Sequence, residues 1–280
     1  MKKIVSFSGG RTSAYLCYLM IIKYGRENVD FIYMDTGAEH PKTYEFIKEV
    51  DRHFGLNLTC LRLKLNKELG KGNGYQIIDI DDLKPDLKPF IDTMSKYGVP
   101  YIGGMFCTDR MKLTPYKKYC DDTYGKKNYE TWLGIREDEK RRAKDKEGIR
   151  YLCEISDFDK QDVLKWWSEQ DFDLGIEEWN GNCVFCPKKS NLKLALAQRE
   201  NPEEYIKFKS ALHDESVRVD NNTGTRAVMY RGNQSLENLI AMFDTNTDKE
   251  IKERMRGSKV IDTNSCSESC EMFQLDWIED

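Results

Sequence analysis

Ser8-Gly9-Gly10-Arg11-Thr12-Ser13 follows directly on the strand-like run Lys3-Ile4-Val5-Ser6-Phe7 and precedes the apolar stretch from Ala14 to Ile22. Strand, glycine turn and helix in immediate succession constrain the fold more than any other part of the chain. Ile4, Val5 and Phe7 favour a buried strand, and Gly9 and Gly10 let the backbone turn sharply and approach a ligand without Cβ interference. Thr12 and Ser13 are good N-cap residues, which predicts a helix from there to the neighbourhood of Gly25. Free N–H groups at such a helix start, together with the helix dipole, make an anion site, so the segment reads as a phosphate-binding loop. It lacks the Gly-Lys-Ser/Thr of a Walker A loop and is not Gly-x-Gly-x-x-Gly. The bland alternative is a simple strand–turn–helix joint.

Asp30 to Met34 reads as a second buried strand, ending in Asp35-Thr36-Gly37. A helix over Pro41 to Phe54 and a strand over Leu58 to Leu63 follow. Strands alternating with helices predict an α/β fold with a doubly wound, Rossmann-like parallel sheet. Loops at the carboxyl ends of its strands make the site, so the Ser8 loop and Asp35-Thr36 should face one crevice. Residues 64–105, rich in Lys, Asp, Gly and Pro, read as a long excursion or lid. Further on come a helix over Arg110 to Tyr119, a strand and turn over Tyr129 to Arg136, a strand over Leu152 to Ile155, and a helix over Asp159 to Gln170 capped by Asp157. From about residue 175 the pattern changes to a helical, cysteine-bearing C-terminal part, with helices near 189–200, 202–213 and 235–243. The expected division is a nucleotide-binding domain over 1–175 and a cysteine-rich helical region over 176–280.

The 280 residues, 39% hydrophobic and 33% charged, suffice for a substantial core and contain no apolar run approaching a membrane span of roughly 20 residues. Met1-Lys2-Lys3 leads straight into a strand, so no signal peptide and a cytoplasmic location are expected. With 44 basic and 48 acidic residues, the net charge of −4 gives no global pull toward nucleic acid. The basic runs from Arg136 to Lys146 and at Lys188-Lys189 could serve a nucleotide or an RNA, but most such runs are solvated helix faces. His40 precedes Pro41 and is placed near the site, whereas His53 and His213 read as ordinary surface or helix residues.

Nine cysteines in a chain of this kind argue against a disulfide framework. Cys17 and Cys60 fall in core-like runs, and Cys120 and Cys153 have no partner spacing. Cys183-Val184-Phe185-Cys186 is a C-x-x-C and Cys266-Ser267-Glu268-Ser269-Cys270 a C-x-x-x-C. Short-spaced thiolate pairs from distant segments can complete a four-ligand site. Cys107, just before a helix, is a fifth candidate. An iron–sulfur cluster, a structural zinc ion and metal-free redox thiols all remain open. Cys270, nearest the C-terminus, is the natural odd one out.

Leu133-Gly134-Ile135-Arg136 closes a strand. Gly134 permits close backbone approach, and Arg136 can fork onto phosphate or sulfate oxygens. Arg142 could add a second cation, with Glu139 holding one of the arginines in place.

Taken in order, residues 8–13, Asp35-Thr36-Gly37-Ala38-Glu39-His40-Pro41, the segment from Cys107 to Pro115, and residues 133–136 resemble the phosphoadenosine phosphosulfate (PAPS) reductase family of the PP-loop superfamily, in the style of members carried by phages. The resemblance covers about residues 1–200. It implies an adenine nucleotide (PAPS, adenylyl sulfate or ATP) over Ser8, Gly9, Gly10, Arg11, Thr12 and Ser13. Asp35, Thr36 and Gly134 would lie beside it, and Arg136 and Arg142 on sulfate or phosphate. It also implies a [4Fe-4S] cluster on Cys107, Cys183, Cys186 and either Cys266 or Cys270, with zinc as the alternative. Cys270 would be the nucleophile on sulfate sulfur, with Arg136 beside it in the catalytic role. The partners implied are the nucleotide and a thiol electron donor; a homodimer is open. There are departures: Thr12 stands where the loop carries an acidic residue, Phe106-Cys107 replaces a cysteine pair, and Glu268-Ser269-Cys270-Glu271 lacks the glycine and histidine after the nucleophile. Two alternatives follow. One is ATP-dependent adenylation and thiolation of a nucleic acid or small molecule, which the net charge does not support for nucleic acid. The other is a non-catalytic nucleotide-binding protein with structural zinc.

Overall fold

Strand β1 (Lys2–Phe7) sends Ile4 to one side of a sheet and Val5 and Phe7 to the other, so both of its faces are buried. A strand buried on both faces belongs in the middle of a parallel sheet. In the computed structural model, which describes residues 1–102, 105–219, 230–257 and Phe273, β1 pairs in parallel with β2 (Val29–Asp35) on one side and β5 (Tyr129–Leu133) on the other. Strand β3 (Thr59–Lys64) extends the sheet beyond β2, and β6 (Ile149–Tyr151) extends it beyond β5. The order is β4-β3-β2-β1-β5-β6. Chain direction across the sheet therefore reverses between β1 and β5, and the crevice above their carboxyl ends is the topological switch point where such folds bind ligands.

Helices α1 (Arg11–Tyr24), α2 (Pro41–Phe54) and α5 (Lys160–Ser168) cover one face through Leu16, Met20, Ile47, Val50, Val163 and Trp167. Each large apolar side chain so buried stabilises the fold by about 1.5–3 kcal/mol. On the other face, α4 (Thr114–Tyr124) packs Tyr116 and Cys120 on Ile4, Ile32 and Leu133. Phe273 completes that layer, its ring 4.8 Å from that of Tyr116 and edge-on to it.

Several local expectations are corrected. Helix α1 starts at Arg11 with Gly10 as N-cap, because Ser13 turns its hydroxyl back onto Gly10 O at 2.9 Å and Thr12 already lies in the first turn. Residues 64–105 are not a structureless lid. They hold β4 (Gly74–Ile78), antiparallel on β3, and α3 (Lys88–Tyr97), whose Phe90 and Met94 are buried. A π-helical stretch, Cys107–Leu113, precedes α4. The strand expected over 152–155 lies earlier, over Ile149–Tyr151, because Glu154 accepts from Tyr151 N at 2.9 Å and closes a tight turn over Leu152–Glu154. Asp159, not Asp157, caps α5: its carboxylate accepts from Gln161 N and Asp162 N at 2.7 and 3.0 Å.

Beyond residue 175 come α6 (Asn191–Glu200), α7 (Pro202–Leu212), α8 (Leu236–Ala241) and α9 (Asp248–Gly257). Leu194, Phe208 and Leu239 of this part share a core with Ala38, Leu63 and Met94 of the preceding part. Among the described residues, no helix is long and apolar enough to cross a membrane.

His40 caps α2. Its Nδ1 accepts from Lys42 N at 3.1 Å, which requires the neutral ring with its proton on Nε2, donated to Asn201 Oδ1 at 2.9 Å. Burial lowers its pKa, only partly opposed by the Asn201 bond. The unfolded chain therefore takes up the proton first, and stability is full above pH ~6.5 and falls as the pH drops through that value toward the lower folded pKa. Urea unfolding between pH 5 and 8 should show this slope, and His40→Asn, which can still cap, should flatten it; an unchanged slope would assign the effect elsewhere.

Candidate functional site

Gly9 has φ +80°, a conformation that L side chains rarely adopt, and a Cβ there would stand 3.0 Å from both Thr43 Cγ2 and Ile47 Cδ1. The turn is closed internally: Ser8 and Ser13 hydroxyls lie 2.8 Å apart, and Ser8 N donates to Ser13 Oγ at 3.2 Å. No side chain caps α1 and its first turn holds no acid, so the first-turn N–H groups and the positive end of the dipole face the crevice uncompensated.

Arg136 reaches this loop from the end of β5. It is 4% exposed and donates from Nη1 to Thr12 Oγ1 at 3.2 Å. Asp138 holds Nε and Nη2 at 2.9 and 3.1 Å, and Glu139 stands 3.3 Å from Nη1. Gly134 allows the approach, since a Cβ there would come within 3.3 Å of Ser13 backbone atoms.

Ser8, Gly9, Gly10, Arg11, Thr12 and Arg136 line one cavity of about 580 Å³. This size lies within the range of small-molecule sites, roughly 300–1,000 Å³. Thr43, Lys160, Gln161, Leu174, Gly175 and Asn182 complete much of the wall. Arg11 forks onto Asp173 with two bonds of 2.6 Å, and Trp167 Nε1 donates to Arg11 O at 2.9 Å. Burial works against the Asp173 charge, but the hydrogen bonds and charge of Arg11, helped by the Leu174 and Gly175 amides, hold its pKa below the usual carboxylate value. None of Thr43, Lys160, Gln161 or Asp173 was singled out from sequence. Asp173 stands 162 residues from its partner, so no local signal marked it.

Other expected site residues lie outside the cavity lining. Ser13 braces the loop from behind. Asp35 is fully buried, with its carboxylate accepting from Arg62 Nε and Nη2 at 2.9 and 2.5 Å, Tyr44 OH at 3.2 Å and Gly37 N at 2.9 Å. Thr36 is buried beside Cys183, with 3.7 Å between Oγ1 and Sγ. Arg142 pairs with Glu139, which thus holds both arginines. Lys189 is no solvated cation: it is 3% exposed and donates to Trp179 O and Val184 O at 2.7 and 2.9 Å, bracing the C-x-x-C loop.

Cys107, Cys183 and Cys186 line a second, small cavity with Lys112. Cys183 donates to Glu39 Oε1 at 3.7 Å, and Lys112 Nζ stands 3.9 Å from the same oxygen. The donors are of the soft kind that iron–sulfur clusters and zinc take, and they converge. As the side chains stand, however, no group of three or more His, Cys, Asp or Glu among the described residues is arranged to hold a metal ion. Cys266 and Cys270 lie outside the described residues. Cys17 and Cys60 match their core reading and Cys120 is buried with them: burial pushes Cys17 and Cys120 well up and Cys60 up to about 12, so they stay protonated, while Cys153 is half-buried and its thiol is also pushed up by burial.

An uncapped helix start and a buried arginine meet at the switch point of an α/β protein with a doubly wound sheet, and both are groups of the kind that suit anionic oxygen. The model of the phosphoadenosine phosphosulfate reductase domain matches residues 2–76, which carry β1 to β3, the start of β4 and the Ser8 loop. The chain is 48% identical over 283 residues to the uncharacterized nin region protein ORF290 of Escherichia phage lambda, covering 99% of this chain and 98% of that one. Two uncharacterized proteins of Methanocaldococcus jannaschii are 23% and 25% identical over 226 and 221 residues, and the chain spans 41% and 46% of their lengths. The chain belongs to the PAPS reductase-like family of the PP-loop superfamily, as a phage-type member.

Proposed function

We propose that this protein is a PP-loop enzyme that binds PAPS, adenylyl sulfate or ATP in the 580 Å³ cavity and carries out sulfur chemistry on the bound nucleotide. The observation that carries this reading is the meeting of the Ser8–Thr12 backbone with Arg136 on one wall of the cavity. The phosphates would sit on the first-turn N–H groups of α1, with the adenosine toward Leu174 and Gly175. Thr12 sharpens the reading. An acidic residue there would put a carboxylate against Arg136 Nη1, whereas a neutral hydroxyl leaves more of the cation's charge for a sulfate or phosphate. This favours a sulfated adenylyl ligand over ATP chemistry that needs an acid in the loop.

Cys107, Cys183 and Cys186 would take up a [4Fe-4S] cluster, or zinc, together with Cys266 or Cys270. A cluster there would supply an electron-transfer centre, and zinc a structural clasp. The same thiols require reducing conditions in any assay.

Calorimetric titration of the anaerobically purified protein with PAPS, adenylyl sulfate and ATP tests the reading. Binding of a sulfated nucleotide tighter than ATP, with sulfite released in the presence of a dithiol, is the expected result. No binding of any of the three at millimolar concentration would refute it.

A further inference from the structure

Thr43 occupies the third position of α2 and is 3% exposed. Its amide donates to His40 O at 2.8 Å, but its hydroxyl has no hydrogen-bond partner. Leaving a buried hydroxyl unpaired is costly, and folded proteins keep few such groups without a reason. Ser6 and Tyr33 also bury an unpartnered hydroxyl, yet neither lines the cavity, whereas Thr43 does. Its methyl is the group that a side chain on Gly9 would strike. Thr43 therefore closes directly on the turn of the anion-binding loop, with Ile47 filling the adjacent space. A 120° step about χ1 carries a threonine hydroxyl to the position its methyl held, the methyl passing to the third staggered position, so a ligand seated on Gly9 can recruit the hydroxyl without moving the helix.

We infer that Thr43 is a ligand-binding residue whose hydroxyl donates to a phosphate oxygen held on the Ser8–Thr12 loop. This rests on the reading of the cavity as a nucleotide site. A phosphate oxygen is the acceptor that this place selects: Thr43 abuts the Gly9 turn that opens α1, and although Glu177 and Glu178 also line the cavity, the groups of this loop and Arg136 are those that gather anionic oxygen. The other neighbour, Ile47, offers no polar atom. The hydroxyl would thus stay unpartnered in the empty site and be satisfied on binding, so that its hydrogen bond adds to affinity without opposing an existing one.

The test is calorimetric titration of AMP, ATP and adenosine into wild type, Thr43→Val and Thr43→Ser, with melting temperatures of each ligand-free protein. A hydrogen bond to a charged acceptor is worth about 1.5–3 kcal/mol, so Thr43→Val should bind AMP and ATP about tenfold more weakly or worse. Its adenosine affinity should hold, its melting temperature should stay level or rise, and Thr43→Ser should bind like wild type. Unchanged AMP affinity in Thr43→Val overturns the inference. So does a loss shared equally by adenosine or accompanied by a fall in melting temperature, since the residue would then act through the fold. If wild type binds only the sulfated nucleotides, the same comparison of wild type, Thr43→Val and Thr43→Ser is read with adenylyl sulfate in place of AMP; if wild type binds no nucleotide at all, the nucleotide reading fails and the inference with it; if wild type binds and Thr43→Val binds as well, only the inference fails.

Discussion

Arg136→Ala is expected to weaken binding of the anionic nucleotide by about 100-fold, the equivalent of roughly 3 kcal/mol. The guanidinium is 4% exposed, touches Thr12 on the loop, and is held by two carboxylates. Its position is therefore set before any ligand arrives, and no ordering cost opposes its use. The same change should lower folding stability by about 2–3 kcal/mol, because Asp138 loses its fork and Glu139 keeps only Arg142. Arg136→Lys keeps the charge but not the fork, and should recover part of the binding and little of the stability. Nucleotide titration alongside urea unfolding separates the two effects. Wild-type affinity in a folded Arg136→Ala protein would remove Arg136 from the site.

Asp35→Ala should be the most damaging single change to the fold, at about 3–5 kcal/mol. Asp35 is completely buried and satisfies Arg62, Tyr44 OH and Gly37 N at once. Removing it strands a guanidinium that is only 15% exposed, along with a buried phenol. Asp35→Asn should cost less, since an amide oxygen still accepts from Gly37 N and Tyr44 OH. Because Asp35 does not line the cavity, whatever Asp35→Asn protein folds should bind nucleotide within a few-fold of wild type. Unfolding curves would report the first effect. A large loss of affinity in a stable Asp35→Asn protein would mean that the carboxylate reaches the ligand directly.

These two residues show where reading the chain succeeds and where it stops. Alternation of Ile4, Val5 and Phe7, followed by Gly9-Gly10 and an apolar stretch, specifies a central strand, a turn and a helix from local chemistry alone. Pro41 at the first turn and Gly55 in the left-handed conformation at the end bound α2 just as sharply, and the structure places it over Pro41–Phe54. Arg136 was legible because a glycine-bearing strand end leads straight into it. By contrast, β4 is short, with none of its five residues fully buried and Ile77 exposed, and it lies in a stretch rich in Lys, Asp, Gly and Pro, so only its pairing with β3 defines it.

Asp35 and Arg136 are both charged residues at strand ends, and nothing in their neighbourhoods along the chain separates a cavity-lining cation from a buried hub. Arg62 makes the difference for Asp35 from 27 residues away, as Asp173 does for Arg11 from 162. The burial of Lys189 and the convergence of Cys107 with Cys183 and Cys186 arise in the same way. Strands and helices follow from propensity and periodicity, which act over a few residues. Partners of charges, thiols and the Thr43 hydroxyl are set by packing between distant segments, where burial decides which polar groups must be satisfied inside the protein and which are left for a ligand.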